Sequence, residues 1–133
     1  VKNVYTGKAG PDAATDHGWL LGHFKPEDDL RHSAEVEIKW GVHRRGDRRA
    51  EWTTDDKRTA LLVLISGRFV LEFPDGDVEL AEQGDYVLWH QVDHSWRAEE
   101  ESTVMTVRWP SVPGHKIVTP DGPEPAPRSP DPR

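Results

Sequence analysis

The stretch TALLVLISGRFVLEFPDGDVEL, residues 59–80, contains two apolar runs, each too short for an ordinary helix and each closed by turn residues. Residues 59–66 are apolar at successive positions, the pattern of a strand covered on both faces. Gly67 ends that run and residues 68–73 begin a second one. Pro74-Asp75-Gly76-Asp77 then turns the chain into residues 77–80, a strong hairpin signal. Two strands and a tight return predict antiparallel sheet here.

The same grammar continues outward. Gly84-Asp85 introduces DYVLWH (85–90), followed by HSWRAEE (94–100) and STVMTVRW (102–109), where Thr103, Met105, Val107 and Trp109 alternate with Val104, Thr106 and Arg108. Upstream, AEVEIKWGV (34–42) sets Val36, Ile38, Trp40 and Val42 on one face and charges on the other. That alternation predicts a strand half-buried through its apolar face. Short strands with almost no helical periodicity imply an all-β sandwich or barrel.

Composition narrows the function classes. A chain of 133 residues is about one domain long. Its 17 basic against 24 acidic residues give a net charge of −7, which disfavours nucleic acid as a partner. With no cysteine, disulfides, thiolate chemistry and sulfur-ligated metals are excluded, and reactivity falls to His, carboxylates, Tyr or Arg. No apolar run has the length of a membrane span and no secretory h-region opens the chain, so a cytoplasmic protein is expected. Residues 1–16 read as an arm or loose edge strand, and 17–117 as the folded domain. Residues 118–133, with six of the 11 prolines, read as a disordered tail.

The order of strand, loop, LLVLISGRFVLEF, hairpin, GDYVLWHQVDHSW and final strand resembles the small single-domain cupins over roughly residues 34–109. The resemblance implies a double-stranded β-helix, or jelly-roll barrel. In metal-dependent cupins the first motif carries two histidines one residue apart and then a glutamate; the second motif carries a third histidine. Here Ala60 stands at the glutamate position and Thr54 and Asp56 fall near the two histidine positions, so only His94 matches. The second motif departs as well: it is one residue short, His90-Gln91-Val92 replaces the usual proline and glycine, and Ala98 replaces an asparagine. One imidazole does not hold a divalent ion, which needs three or four converging ligands. No cofactor is therefore expected, and a metal would require Asp56 and His90 to join His94.

Metal-free relatives imply a different chemistry, in which a pocket histidine moves a proton. On that resemblance His94, with Tyr86 or His90, is the candidate general acid or base. Six tryptophans in one small domain supply flat walls; Trp52 and Trp96 are the candidates for the pocket, Trp96 because it shares the face of His94. Arg58, at the start of the apolar strand, is a candidate anchor for an anionic ligand at the barrel mouth. HRRGDRR (43–49) reads either as a solvated turn or as an anion clamp. Three functions stay open: a metal-independent isomerase, cyclase or lyase acting on a small metabolite; a non-catalytic ligand-binding sensor or accessory protein; and a metal-dependent oxygenase. A homodimer is expected, with the apolar segment GWLLGHF (18–24) adding an edge to a partner sheet.

Overall fold

The structure, a computed structural model, describes residues 2–113 and the backbone of 116–118. The tail expected over 118–133 thus lies, from residue 119 onward, outside the described residues. Gly67, which closes the first run, shows how the chain is held to its path. Its φ is +97°, and a Cβ there would run into the carbonyl oxygen of Glu101 and the Ser102 hydroxyl. Only glycine turns the chain this close to its neighbour. The turn joins β4 (Thr59–Ser66) to β5 (Phe69–Phe73), and β5 pairs with β6 (Gly76–Leu80) through a two-residue loop, Phe73 opposite Gly76.

Seven further strands complete the body: β1 (Trp19–Leu21), β2 (Glu37–His43), β3 (Arg48–Thr54), β7 (Tyr86–His90), β8 (His94–Ala98), β9 (Ser102–Trp109) and β10 (Lys116–Val118). They form two five-stranded antiparallel sheets, ordered β1-β2-β9-β4-β7 and β10-β3-β8-β5-β6. Apart from the paired neighbours β1-β2 and β5-β6, consecutive strands fall in opposite sheets, the crossing pattern of a jelly roll. The apolar core lies between them, built from Ala60, Leu62 and Leu64 of β4, Phe69 and Leu71 of β5, and Leu80, Trp89, Ala98 and Val104. Among the described residues no helix is long and apolar enough to cross a membrane.

The strand β2 presents the opposite face to the one its alternation predicts. Glu37 is fully buried, while Val42, expected inside, is 61% exposed. Register explains the inversion. Across the first sheet one inward row runs Glu37, Arg108, Ala60, Trp89, and the next runs Lys39, Thr106, Leu62, Val87. The intervening outward rows are apolar throughout: Trp40, Met105, Val63, Tyr86, and Ile38, Val107, Leu61, Leu88. A slip of one residue would return Ile38 and Trp40 to the core and strand Glu37 outside.

What holds Glu37 inside is a set of partners distant in sequence. One of its oxygens accepts from Arg58 Nη1 at 3.0 Å and pairs with Arg108, and the other accepts from the Ser111 hydroxyl at 3.0 Å. Arg58 in turn donates to Asp56 from Nε at 2.8 Å and from Nη2 at 3.2 Å. Two carboxylates face two guanidiniums, so the buried group is internally neutral.

The N-terminal segment also departs from expectation. Residues 9–15 are a helix, α1 (Ala9–Thr15), with Ala13 buried and Pro11 in its first turn, where the missing N–H costs nothing. Seven residues do not sustain a helix alone, so packing beside β1 and β2 supplies its stability. In GWLLGHF the aromatic residues find partners within the chain: Trp19 is fully buried, 4.5 Å from the Phe24 ring and beneath the Arg108 guanidinium at 4.6 Å. Replacing Glu37 by Ala should therefore cost about 3–5 kcal/mol by leaving two buried guanidiniums short of a counter-charge. Val42→Thr should stay within about 0.5 kcal/mol. Urea unfolding of the two variants measures both, and the apolar-face-in reading of β2 demands the reverse ranking.

Candidate functional site

Between the two sheets lies a cavity of about 360 Å³, lined from β2, β3, β4, β5, β7, β8 and β9 and flanked by Gly10, Ala13 and Ala14 of α1. The small side chains of α1 border the cavity without filling it, and the cavity stays partly open to solvent. The two imidazoles in the wall, His43 and His94, each sit in an aromatic group. The His43 ring lies 4.3 Å from Trp96 and 5.4 Å from Phe69, and the Phe69 and Trp96 rings stack at 5.4 Å. The His94 ring lies 4.9 Å from Trp89 and 6.4 Å from Phe73.

The local backbone sets each histidine. β8 alternates so that His94, Trp96 and Ala98 face inward. Gly41 makes room on β2: a Cβ there would come within 2.8 Å of His43 Nε2, so a larger residue would displace that ring. Between Arg49 and Thr53, β3 bulges against β8, and the Ser95 hydroxyl donates to the Glu51 carbonyl at 2.8 Å within that bulge. The bulge brings Arg49 to the cavity, where its Nη2 donates to Thr53 Oγ1 at 2.5 Å and to the His94 carbonyl at 3.3 Å.

Burial and neighbouring cations keep both rings neutral. For His94 desolvation is the largest cause and the Arg49 charge the next, and they push its pKa down to about 3. For His43 desolvation and then Lys39 push it down to about 4. His94 Nδ1 lies 3.1 Å from the Val92 carbonyl, which only accepts, so in the neutral ring Nδ1 donates and Nε2 keeps the lone pair. Asp56 is pulled the other way: burial raises its pKa, but hydrogen bonds and charge from Arg58 outweigh burial and leave it lowered.

Of the residues singled out from sequence, the fold brings His94 and Trp96 to one cavity. Tyr86 and His90 lie on the outer side of β7, opposite Trp89; Tyr86 is 67% exposed, and His90 Nδ1 is 2.7 Å from Thr59 Oγ1. Trp52 lies on β3 between buried Glu51 and Thr53, half-buried and outside the cavity lining. Asp55, with φ +55°, turns the chain between Trp52 and the inward-facing Ala60, so the two do not share one strand face. Arg58 stands in the Glu37 and Asp56 pairs rather than at an open mouth. Within HRRGDRR, Arg44, Arg45 and Arg48 are exposed as a turn would have them, while Arg49 turns inward.

Lys39, His43, Trp89 and Arg108 line the cavity without having been singled out. The alternation of Glu37, Lys39, Gly41 and His43 was the available signal. It became informative only once the inward face of β2 was known.

Asp56, His90 and His94 do not converge, and among the described residues no group of three His, Asp or Glu is placed to hold a metal ion. Asp56 is committed to Arg58, and Ala60 offers no ligand atom. The donor set does not fit the metal of metal-dependent cupins.

No protein family and no curated protein matches the sequence. Solved structures do match. A protein with a double-stranded β-helix domain from Klebsiella pneumoniae superposes with a TM-score of 0.56 at 16% identity, over 64% of this chain and 76% of that one. An RmlC-like cupin from Shewanella frigidimarina gives 0.51 at 14% identity, over 58% and 68%. A variant of salicylate 1,2-dioxygenase from Pseudoaminobacter salicylatoxidans gives 0.51 at 13% identity over 56% of this chain, which spans only 21% of that protein. The fold is the double-stranded β-helix of the cupins, here with a partly open cavity between its sheets.

Neutral buried histidines give the fold a pH dependence. Unfolded, both rings take up a proton below about pH 6.5, whereas in the folded barrel they resist protonation until about pH 3 to 4. The unfolded state therefore binds more protons across that interval, and stability falls as pH drops below 6.5. The slope approaches about 1.4 kcal/mol per pH unit for each histidine. Urea melts between pH 7 and 4.5 should show this fall, and His94→Gln should remove about half of the histidine-linked slope. An unchanged slope in the variant would place His94 in solvent.

Proposed function

We propose that this protein binds a compact small molecule inside the barrel and holds it against Trp96 and Trp89, with His94 as a hydrogen-bond acceptor. The observation that carries this reading is the state of His94: 7% exposed, neutral, its Nδ1 tied to a carbonyl and its pKa about 3. A base works best with a pKa near the working pH, and a ring this hard to protonate is poorly placed to relay protons. The cavity's volume lies at the small end of the range for ligand pockets, about 300–1,000 Å³, which suits a single ring or one sugar unit. Isomerisation, cyclisation or elimination with His94 as base remains the second reading, supported by the lone pair that the neutral ring keeps on Nε2.

A melting-temperature screen of small metabolites separates the two. A ligand at a hundred times its dissociation constant adds about 2.7 kcal/mol of stability, a shift easily read. Under the binding reading His94→Gln should retain the compounds that bind, with affinity lowered by no more than the ~0.5–1.5 kcal/mol of one hydrogen bond. If wild type converts a bound compound to product and the variant does not, the catalytic reading replaces it.

We also propose that two copies pair through the outer face of the first sheet, whose two rows of apolar residues run from β2 to β7. Light scattering should report a dimer, and Leu88→Glu, at a position 58% exposed in the single chain, should give a folded monomer. A wild-type monomer at high concentration would remove this part of the reading.

A further inference from the structure

We infer that the ligand is an organic carboxylate, its charged head among Lys39, Arg49 and Arg108 and its flat body against Trp96 and Trp89. This rests on the cavity reading above and adds the sign of the ligand's charge. The whole chain carries 24 acidic residues against 17 basic ones, yet the described residues lining the cavity include three cations and neither Asp nor Glu. Of the buried carboxylates, Glu37 holds Arg58 and Arg108 together, Asp56 holds Arg58, and Glu51 lies within the β3 bulge beside Arg49, outside the lining.

The pairing of Glu37 with Arg108 offsets part of that arginine's charge, so the field inside must be judged from groups that feel it. His94 and His43 serve as such reporters. At His94 the Arg49 charge disfavours the imidazolium more than Asp56 favours it, and at His43 the Lys39 charge outweighs Asp47. At each imidazole the named cation thus outweighs the named carboxylate, a local balance that disfavours an added cation and favours an anion. In a recessed, partly apolar space that attraction is screened less than at the surface. Guanidinium forks suit the planar two-oxygen geometry of a carboxylate. The Nε2 lone pair of His94 and the Thr106 hydroxyl complete the wall with partners for a hydroxyl group on the ligand's body.

Matched probes of equal shape test the sign. Benzoate, benzamide and benzylamine differ in charge and little in size, and glucuronate with glucose repeats the comparison on a polar body. Titration calorimetry on the full chain should show the anion of at least one set binding tenfold or more tightly than its neutral counterpart. Benzylamine should bind weakest of its three. Arg49→Gln and, separately, Lys39→Gln should each lower affinity for the anion about tenfold while changing affinity for the neutral probe less than threefold. Melting curves without ligand check that both variants fold. Equal affinity for anion and neutral probe in both sets, preference for benzylamine, or an anion preference that survives both substitutions would overturn the inference and leave the cavity reading standing. If none of the five probes binds at millimolar concentration, the cavity reading falls and the inference with it.

Discussion

A carboxylate with no access to water has to find positive charge inside the protein, and Glu37 finds it on two arginines from other parts of the chain, Arg58 and Arg108. The arrangement joins the first residue of β2, the residue before β4 and the end of β9 at one end of the first sheet. Ser111 adds a fourth segment through its hydroxyl, and His23 reaches that same hydroxyl from the loop after β1. Because side chains alternate strictly along a strand, anchoring Glu37 inward determines every other position of β2. Lys39, Gly41 and His43 follow it into the barrel, and Ile38, Trp40 and Val42 are turned out.

The character of the cavity follows from that anchor. A β2 with its apolar face inward would have filled the barrel with isoleucine, tryptophan and valine, leaving a dry core. The observed face contributes a lysine, a gap at Gly41 and an imidazole. From the opposite sheet the β3 bulge adds Arg49, and β8 adds His94 and Trp96. The interior thus combines flat aromatic walls, which bind by apolar contact, with polar groups in a poorly screened space, where each is worth more than at the surface. Its second consequence is external: the residues displaced from the core form apolar rows across the outer sheet face.

The strands were legible because their signals are local. Gly67, Pro74-Asp75-Gly76 and Gly84-Asp85 punctuate the chain, and the period between them is two. His94 and Trp96 were legible as a pair for the same reason, since two residues apart on a strand means one face. Tyr86 and His90 show the limit of that logic. Their own alternation sets them apart from Trp89 but does not say which face meets the core, and here Trp89 does. The helix α1 was less legible still, because seven residues carry too little periodicity and its stability comes from the sheet beneath it.

By itself, then, the sequence determined an all-β chain with short strands, the places where it turns, the absence of thiol chemistry and the incompleteness of the cupin metal motif. Each follows from residue types or from spacings of a few positions. Tertiary structure alone decided which face of β2 enters the barrel, that Arg49 leaves its exposed arginine neighbours for the cavity, and that α1 borders that cavity. Those outcomes depend on pairings between residues tens of positions apart, such as Glu37 with Arg108 or Arg49 with the His94 carbonyl. A local pattern reports that two faces differ; the partners that meet each face are brought by the fold.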